Sequence, residues 1–173
     1  DLVSDLPAEE IIETIPDFHN TPRRFKRLME LVESDPVARL ESVQSEVDFI
    51  TQREALCSTL IKQLEAGELP QRITHNDTKL NNVMMDSQTD EAVCVIDLDT
   101  VMPGLSLYDF GDLVRTATSP AAEDEKDLSK VEMRMSMFEA LAEGYLDGCD
   151  CLTPREIENL VTGGKVITLE TGI

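Results

Sequence analysis

The sequence is poor in aromatic and in basic residues, and both shortages exclude classes of partner. Of its 173 residues none is Trp, five are Phe and two are Tyr. Lys and Arg together number 15 against 35 Asp and Glu, so the formal charge at pH 7 is −20. A chain this acidic repels phosphate backbones and anionic lipid surfaces. We therefore expect neither nucleic-acid binding nor membrane binding.

Long apolar runs and metal-type cysteine clusters are also missing. No uninterrupted apolar run approaches the ~20 residues that a membrane helix needs. The opening segment, Asp1 to Asp5, has the wrong charge for a secretory signal. There are two His, and no second cysteine pair follows Cys149 and Cys151, so a four-ligand zinc site is not expected. The sequence indicates a reduced, cytoplasmic protein, and its four cysteines are Cys57, Cys94, Cys149 and Cys151.

Glycine is scarce in the first seventy residues, where Gly67 stands alone and helical patterns dominate. Capping and proline signals predict a first helix that starts at Asp5 and Pro7, has Ile11, Ile12 and Ile15 on its apolar side, and stops at Pro16. A second helix is predicted to open at Thr21-Pro22 and to end at Asp35-Pro36. The longest periodic pattern predicts a third helix from about Val37 to Ala66, which Gly67 terminates.

The hydrophobic period changes after residue 70. Arg72–Thr74 is predicted to be a short extended segment, and Asn82–Met85 and Ala92–Ile96 are predicted to be strands, the second of them buried. A polar turn over Asp86–Asp90 would join these two strands into a hairpin. Such a hairpin brings Asn82 and Asp97 to the same end.

The remaining sequence is again helical in pattern. Helices are predicted over Leu107–Ala117, with Leu107, Phe110, Leu113 and Val114 inward, over Met133–Leu146, and from Thr153-Pro154 past Gly163-Gly164. A polar surface connection over Ala121–Lys130 separates the first two of these helices. The fold class is therefore predicted as α+β, mainly α.

The residues with the clearest chemical meaning lie in His75–Asn82, HNDTKLNN, and in the later Val95–Asp99, VIDLD. Phosphoryl transfer needs a carboxylate to position the attacking hydroxyl and oxygen ligands for the magnesium that bridges nucleotide phosphates. Asp77 would accept the hydroxyl proton, and Lys79 would balance charge on the moving phosphate. Asn82 and Asp97 would offer one neutral and one charged oxygen to the metal.

These residues resemble a known family. The segments HNDTKLNNVMMD from His75, VIDLDT from Val95 and YDFGDL from Tyr108 are similar to the aminoglycoside phosphotransferase/choline kinase superfamily, which is protein-kinase-like. Within it they are closest to the N-acetylhexosamine 1-kinases. The similarity extends through Ile15–Pro22 and the long helix, and so covers nearly the whole chain.

The resemblance implies an ATP- and Mg²⁺-dependent transfer of the γ-phosphate to the anomeric hydroxyl of an N-acetylhexosamine, GlcNAc or GalNAc. It implies a small-molecule substrate and a nucleotide as partners. The implied roles are catalytic for Asp77 and Lys79, nucleotide-binding for Lys79, Asn82 and Asp97, metal-binding for Asn82 and Asp97, substrate-binding for Asp77 and Asp99, and structural for His75 and Asp112.

The resemblance also implies parts that this sequence does not show. Kinases of this type begin with a β-rich lobe that carries a glycine-containing phosphate loop and a nucleotide-binding Lys. We therefore expect residues 1–173 to be a partial C-terminal lobe that is inactive alone. Its expected parts are a helical subdomain over 1–70, the catalytic and metal loops over 71–103, and a helical region over 104–173.

Two alternatives remain open at the level of sequence. The apolar strand that ends in Asp97-Leu98-Asp99-Thr100-Val101 also fits the opening of haloacid-dehalogenase phosphatases, in which the first Asp is a nucleophile and the second an acid/base. The mostly helical surroundings disfavour this reading. The other alternative is a non-catalytic kinase-like binding module. An EF-hand is excluded because Val101 and Met102 occupy the third-ligand and glycine positions.

Overall fold

The computed structural model describes residues 7–8 and 11–173. Within these ranges helices predominate, and four short strands occupy the middle of the chain. Short 3₁₀ turns cover Leu40–Val43, Leu80–Asn82, Leu98–Thr100 and Leu128–Lys130. The helices and strands, in chain order, are α1 Thr21–Ser34, α2 Gln44–Thr51, α3 Glu54–Cys57, α4 Thr59–Glu65, β1 Arg72–Thr74, β2 Val83–Met85, β3 Ala92–Val95, β4 Met102–Gly104, α5 Ser106–Ala117, α6 Met135–Gly148 and α7 Pro154–Gly172.

Helix α1 is confirmed, with its cap one residue earlier than expected. The side chain of Asn20 accepts a hydrogen bond from the backbone N–H of Arg23 at 3.1 Å, so Asn20 rather than Thr21 caps the helix. Asp35 ends the helix in a left-handed conformation, and its N–H bonds to the carbonyl of Leu31.

The predicted first helix is wrong over the part of it that the structure describes. Residues 11–16 form bends and a turn, while Asp5, Glu9 and Glu10 lie outside the described residues. This segment is held by contacts with distant parts of the chain, because the hydroxyl of Thr14 donates to the carbonyl oxygen of Asp99 at 3.4 Å. Helical propensity is a weak determinant that tertiary context commonly overrides.

The predicted long helix over Val37–Ala66 is also wrong, because the segment is broken into a 3₁₀ turn and three short helices. Ala38 has a positive φ of 53°, and turns interrupt the helix at 52–53 and at 58. Near the last break the hydroxyls of Ser58 and Thr59 both bond to the carbonyl of Ala55. Such local side-chain bonds compete with a regular helix. Gly67, at φ 72°, follows the last piece as predicted.

Two antiparallel sheets of two strands each flank the loop that follows β1. The hairpin of β2 and β3 is confirmed, and Val83 pairs with Val95. Strand β3 is exposed along its whole length, so the prediction that it is buried is wrong. Strand β4 was not predicted, because Met102-Pro103-Gly104 reads as a break. It pairs with β1 in a sheet of two strands, so both strands are edge strands, and an edge strand accepts the missing N–H of Pro103.

The core lies between α5 and α7. Leu107 and Phe110 of α5 are fully buried and pack with Val166 and Ile167 of α7. All three C-terminal helices were predicted, and the cap of α7 is confirmed in detail by the Thr153–Glu156 capping box. Leu113 is only partly buried, unlike the rest of its predicted inward set.

The described residues thus confirm an α+β fold that is mainly helical. None of the helices in these ranges is both long and apolar enough to cross a membrane.

Candidate functional site

The loop after β1 brings two of the predicted side chains to the carboxylate of a third. Oδ2 of Asp77 lies 2.7 Å from Nζ of Lys79 and 3.0 Å from Nδ2 of Asn82. The same amide nitrogen also donates to the backbone carbonyl of Asp77 at 2.8 Å. The 3₁₀ turn Leu80–Asn82 brings Asn82 back to this carboxylate, five residues on from Asp77. Asp77, Lys79 and Asn82 therefore form one cluster.

The hairpin brings the backbone next to Asp97 against Asn82. The N–H of Ile96 donates to the carbonyl of Asn82 at 2.9 Å, which continues the β2–β3 pairing to the residue before Asp97. Asp97 then leaves the strand in a left-handed conformation, with φ 63° and ψ 60°. His75 joins the loop to this point, because its Nε2 lies 3.0 Å from the carbonyl oxygen of Ile96.

The cluster combines one cation with several acids. The hydrogen bond to Asp77 is the largest cause that raises the pKa of Lys79. Burial opposes it, and the negative charges of Asp77, Asp97 and Glu123 each add a smaller increase. Lys79 is therefore held in its charged form. Its ammonium balances the carboxylates that surround it.

A residue that sequence reasoning missed, Asp109, braces the start of the loop. Its carboxylate accepts hydrogen bonds from the backbone N–H groups of His75 at 3.0 Å and Asn76 at 2.7 Å. Burial raises the pKa of Asp109 to about 6, even though these two bonds and the nearby histidines favour the charged form. The signal for it was available, since Asp109 lies in the YDFGD segment at the first turn of α5.

A second missed residue is Asn76, which is 3 % exposed and has a φ of 64°. Its side-chain amide donates to the carbonyls of Thr74 at 3.2 Å and Thr100 at 3.0 Å, and accepts from the hydroxyl of Thr74. The hydroxyl of Thr100 in turn donates to the carbonyl of His75 at 2.7 Å. Asn76 thus ties the catalytic-loop segment to the segment that follows Asp97.

The last two predicted residues are Asp99 and Asp112. Among the described residues, neither makes a hydrogen bond to the Asp77 cluster. Asp99 is exposed, and its carbonyl accepts from Thr14. Oδ1 of Asp112 accepts from Arg115 at 2.7 Å, while its buried Oδ2 has no hydrogen-bond partner among the described residues. Asp109, one helical turn earlier on α5, is the residue whose carboxylate bonds to the catalytic loop.

The donor set at the hairpin end fits a hard divalent cation. The amide nitrogen of Asn82 donates both of its hydrogen bonds to Asp77. Its amide oxygen is therefore the atom that could bind a metal ion. Asp97 supplies a carboxylate at the same hairpin end. Mg²⁺ prefers such an oxygen set and usually keeps several waters and phosphate oxygens as further ligands. In the ranges that the structure describes, no three His, Cys, Asp or Glu side chains converge on a single point.

A separate apolar groove of about 1040 Å³ lies between α2, α6 and α7. Phe49, Met133, Met135, Phe138 and Val161 are among its walls, and none of the predicted site residues lines it. The Asp77 cluster is therefore not part of this groove.

Comparison with known families places the sequence in one of them. Residues 6–150 match the sequence model of the group described as the phosphotransferase enzyme family, APH. This match covers most of the chain, including the loop, the hairpin and α5, and it gives no support to the phosphatase or binding-module alternatives. The chain belongs to the phosphotransferase enzyme family.

Proposed function

We propose that the chain carries the catalytic loop and the metal-binding hairpin of an ATP- and Mg²⁺-dependent kinase. The acceptor is a hydroxyl of a small molecule, and specifically the anomeric hydroxyl of an N-acetylhexosamine. The observation that carries the proposal is the joint placement of Asp77, Lys79 and Asn82 in one hydrogen-bonded cluster, with Asp97 at the hairpin rung next to Asn82.

In this proposal Asp77 positions the acceptor hydroxyl and receives its proton. The transition state of phosphoryl transfer is loose, so holding the hydroxyl in line matters more than prior deprotonation. Oδ2 of Asp77 already accepts from Lys79 and Asn82, which fixes the carboxylate without a substrate. Its remaining oxygen is then oriented toward the acceptor.

Lys79 has two roles. Its ammonium holds Asp77 in place at 2.7 Å, and it balances negative charge on the phosphate as this group moves. Asn82 and Asp97 would hold Mg²⁺, which neutralises phosphate charge when bound. Asp99 is proposed to contact the acceptor, and His75 and Asp112 to support the two loops.

The nucleotide phosphates need further contacts. The residues described before Arg72 form helices and turns, with no strand and with Gly67 as the only glycine. We therefore propose that a separate lobe carries the phosphate-binding loop, and that the chain by itself transfers phosphate poorly. The parts proposed above, 1–70, 71–103 and 104–173, would then form the lobe that holds the acceptor.

The test is steady-state kinetics on the phosphotransferase that contains this chain. Acceptors are GlcNAc, GalNAc, an aminoglycoside, choline and homoserine, and ³¹P NMR locates the transferred phosphate. Asp77→Asn should lower kcat by about 10²–10⁴-fold with folding unchanged, because it removes the proton acceptor. Asp90→Asn, an exposed change in the hairpin turn, is the matched control and should leave kcat unchanged.

Two results would contradict the proposal. Near-native kcat in Asp77→Asn would remove Asp77 from the reaction. Preference for an acceptor other than the amino sugars, or phosphate at a position other than the anomeric oxygen, would reject the assigned substrate.

A further inference from the structure

The peptide unit that precedes Asp77 is held at both of its polar atoms. Its N–H, which belongs to Asp77, donates to Nδ1 of His75 at 3.3 Å. Its carbonyl, which belongs to Asn76, lies 3.0 Å from Nε2 of His19. The chain has two histidines, and both contact this one peptide unit. His75 belongs to the loop itself, whereas His19 reaches it from 57 residues earlier in the sequence.

This peptide unit follows a residue in an uncommon conformation. Asn76 has a φ of 64°, a left-handed conformation that non-glycine residues adopt at some cost in free energy. Such conformations persist when the surrounding structure holds them. The orientation of the 76–77 peptide sets the direction of the Cα–Cβ bond of Asp77. A contact that fixes this peptide therefore also helps to fix the carboxylate.

His19 is itself fixed from the opposite side. Its Nδ1 lies 2.9 Å from Oε1 of Glu170, on α7, and its side chain is 12 % exposed. Its ring packs between Phe18 and Tyr108, with ring centroids at 4.7 and 4.8 Å. Each ring nitrogen contacts one oxygen, so the ring is held on both sides.

Glu170 is a buried carboxylate with three partners. It is 5 % exposed, accepts from the hydroxyl of Thr21 as well as contacting His19, and lies 3.5 Å from Nε of Arg24. Glu170 therefore joins the start of α1 to α7 and holds the histidine ring at their junction. His19 carries a direct contact from this junction to the catalytic loop.

We propose that His19, held by Glu170, is a positioning residue for phosphoryl transfer: it fixes the carbonyl of the Asn76–Asp77 peptide and thereby the Asp77 carboxylate. The inference rests on the function proposed above. It adds a residue from outside the loop and hairpin to the machinery of that site. His19 acts through the backbone and does not touch the reacting groups.

A pair of amide substitutions separates the two contacts of His19. The amide nitrogen of Gln reaches about as far from the backbone as Nε2 of histidine, whereas that of Asn reaches about as far as Nδ1. His19→Gln can therefore still donate to the carbonyl of Asn76, and His19→Asn cannot. Thr21→Val is the control for α1–α7 anchoring, because it removes a bond to Glu170 without touching the loop.

In the enzyme that contains this chain, His19→Asn should lower kcat by roughly 10–100-fold, the effect expected of a displacement of about 1 Å. The KM for ATP should stay within about twofold. His19→Gln should restore kcat to within about threefold of the native value. Thr21→Val should lower the unfolding midpoint and leave kcat unchanged. If His19→Asn does not fold, His19→Met, which fills the volume without donating, takes its place with the same expected loss.

Equal kcat values for the Asn and Gln variants would overturn the proposal. So would a loss of kcat in Thr21→Val that matches the loss in His19→Asn. A failure of the proposed function itself is recognised separately, because Asp77→Asn would then remain active. Amide hydrogen exchange of the full chain gives a readout apart from catalysis. Exchange around Asp77 should be faster in His19→Asn than in His19→Gln, and equal rates would contradict the contact.

Discussion

At the scale of single residues, the candidate site depends on two left-handed backbone conformations. Asn76, with φ 64°, turns the chain just before Asp77, and Asp97, with φ 63°, turns it at the end of β3. Asn and Asp adopt this conformation more readily than other non-glycine residues. The same two turns direct the chain so that the loop and the hairpin end share hydrogen bonds.

The carboxylate of Asp109 gives a prediction about pH. Burial raises its pKa from 3.8 to about 6 in the folded protein, so between these values the folded state binds more protons at this residue than the unfolded state does. Its contribution to the free energy of unfolding is therefore largest below about pH 4 and declines as pH rises through about 6. The pH dependence of unfolding in urea, measured for the native protein and Asp109→Asn, checks this.

The difference between the two curves isolates Asp109 from the other acids. The free energy of unfolding of the native protein, minus that of Asp109→Asn, should fall between about pH 4 and pH 6 and stay level above pH 6. A difference that rises with pH over this interval would show that the hydrogen bonds from His75 and Asn76 outweigh burial.

At the scale of elements, α5 and α7 approach each other through glycines. A Cβ at Gly163 would lie 2.5 Å from the carbonyl oxygen of Leu107, and one at Gly111 would lie 2.6 Å from the carbonyl oxygen of Gly163. Backbone meets backbone at this crossing, so no flexible side chain can move aside. The crossing matters for the site because α5 carries Asp109.

Gly163→Ala should therefore lower the free energy of unfolding by about 1–3 kcal/mol, the usual cost of forcing extra atoms into a packed interior. Gly144→Ala in α6 is the control, because no atom lies within 4 Å of its added Cβ. It should raise the free energy of unfolding by about 0.5–1 kcal/mol through helix propensity alone. Urea unfolding measures both, and a stabilised Gly163→Ala would show that the helices separate at little cost.

Glu156 joins three elements and gives a second prediction at this scale. It is 1 % exposed, and its carboxylate bonds to Arg72 at the start of β1, to Ser106 of α5 and to its own cap residue Thr153. Burial opposes ionisation, but the hydrogen bonds from Arg72, Thr153 and Ser106 outweigh it and lower the pKa of Glu156 to about 2. Its stabilising contribution is thus complete above about pH 4.5 and is lost as pH falls toward 2.

Glu156→Gln should lower the free energy of unfolding at pH 7 by about 3 kcal/mol, because it leaves the partly buried Arg72 without its counter-charge. It should also make the free energy of unfolding depend less on pH below about pH 4.5. Glu158→Gln, an exposed change on the same helix, is the matched control and should stay within about 0.5 kcal/mol. Equal effects of the two variants would mean that the buried pair adds no stability.

The elements also show what a sequence can predict. Caps and prolines act over three or four residues, so α1 and α7 follow from local signals, while α5 and the β2–β3 hairpin follow from their apolar patterns and turn residues. The breaks in 37–66, the pairing of β4 and the exposure of β3 depend on partners far along the chain. For the site, Asp77, Lys79, Asn82 and Asp97 follow from a motif. Asp109 lies in the recognisable YDFGD segment, but its bonds, like the contact of His19, go to the backbone of a loop distant in sequence, so the sequence does not show which residues they hold.

At the scale of the whole molecule, the high negative charge means that a divalent cation has many carboxylates to choose from. With a formal charge of −20, the surface offers many carboxylates to any divalent cation. Most are exposed and screened, and they hold cations only weakly. A metal site at the hairpin end must therefore be distinguished from this background by its position, since carboxylates alone are plentiful.

Paramagnetic broadening of backbone amide NMR signals by Mn²⁺, in the presence of ATP, tests the proposed site most directly. At low Mn²⁺ the first signals lost should be those around Asn82 and Asp97, and added Mg²⁺ should restore them. Asp97→Asn, which keeps the left-handed backbone accessible, should shift this loss to at least tenfold higher Mn²⁺. Broadening that begins elsewhere on the acidic surface, or that is unchanged in Asp97→Asn, would contradict a phosphotransfer site built from this loop and hairpin.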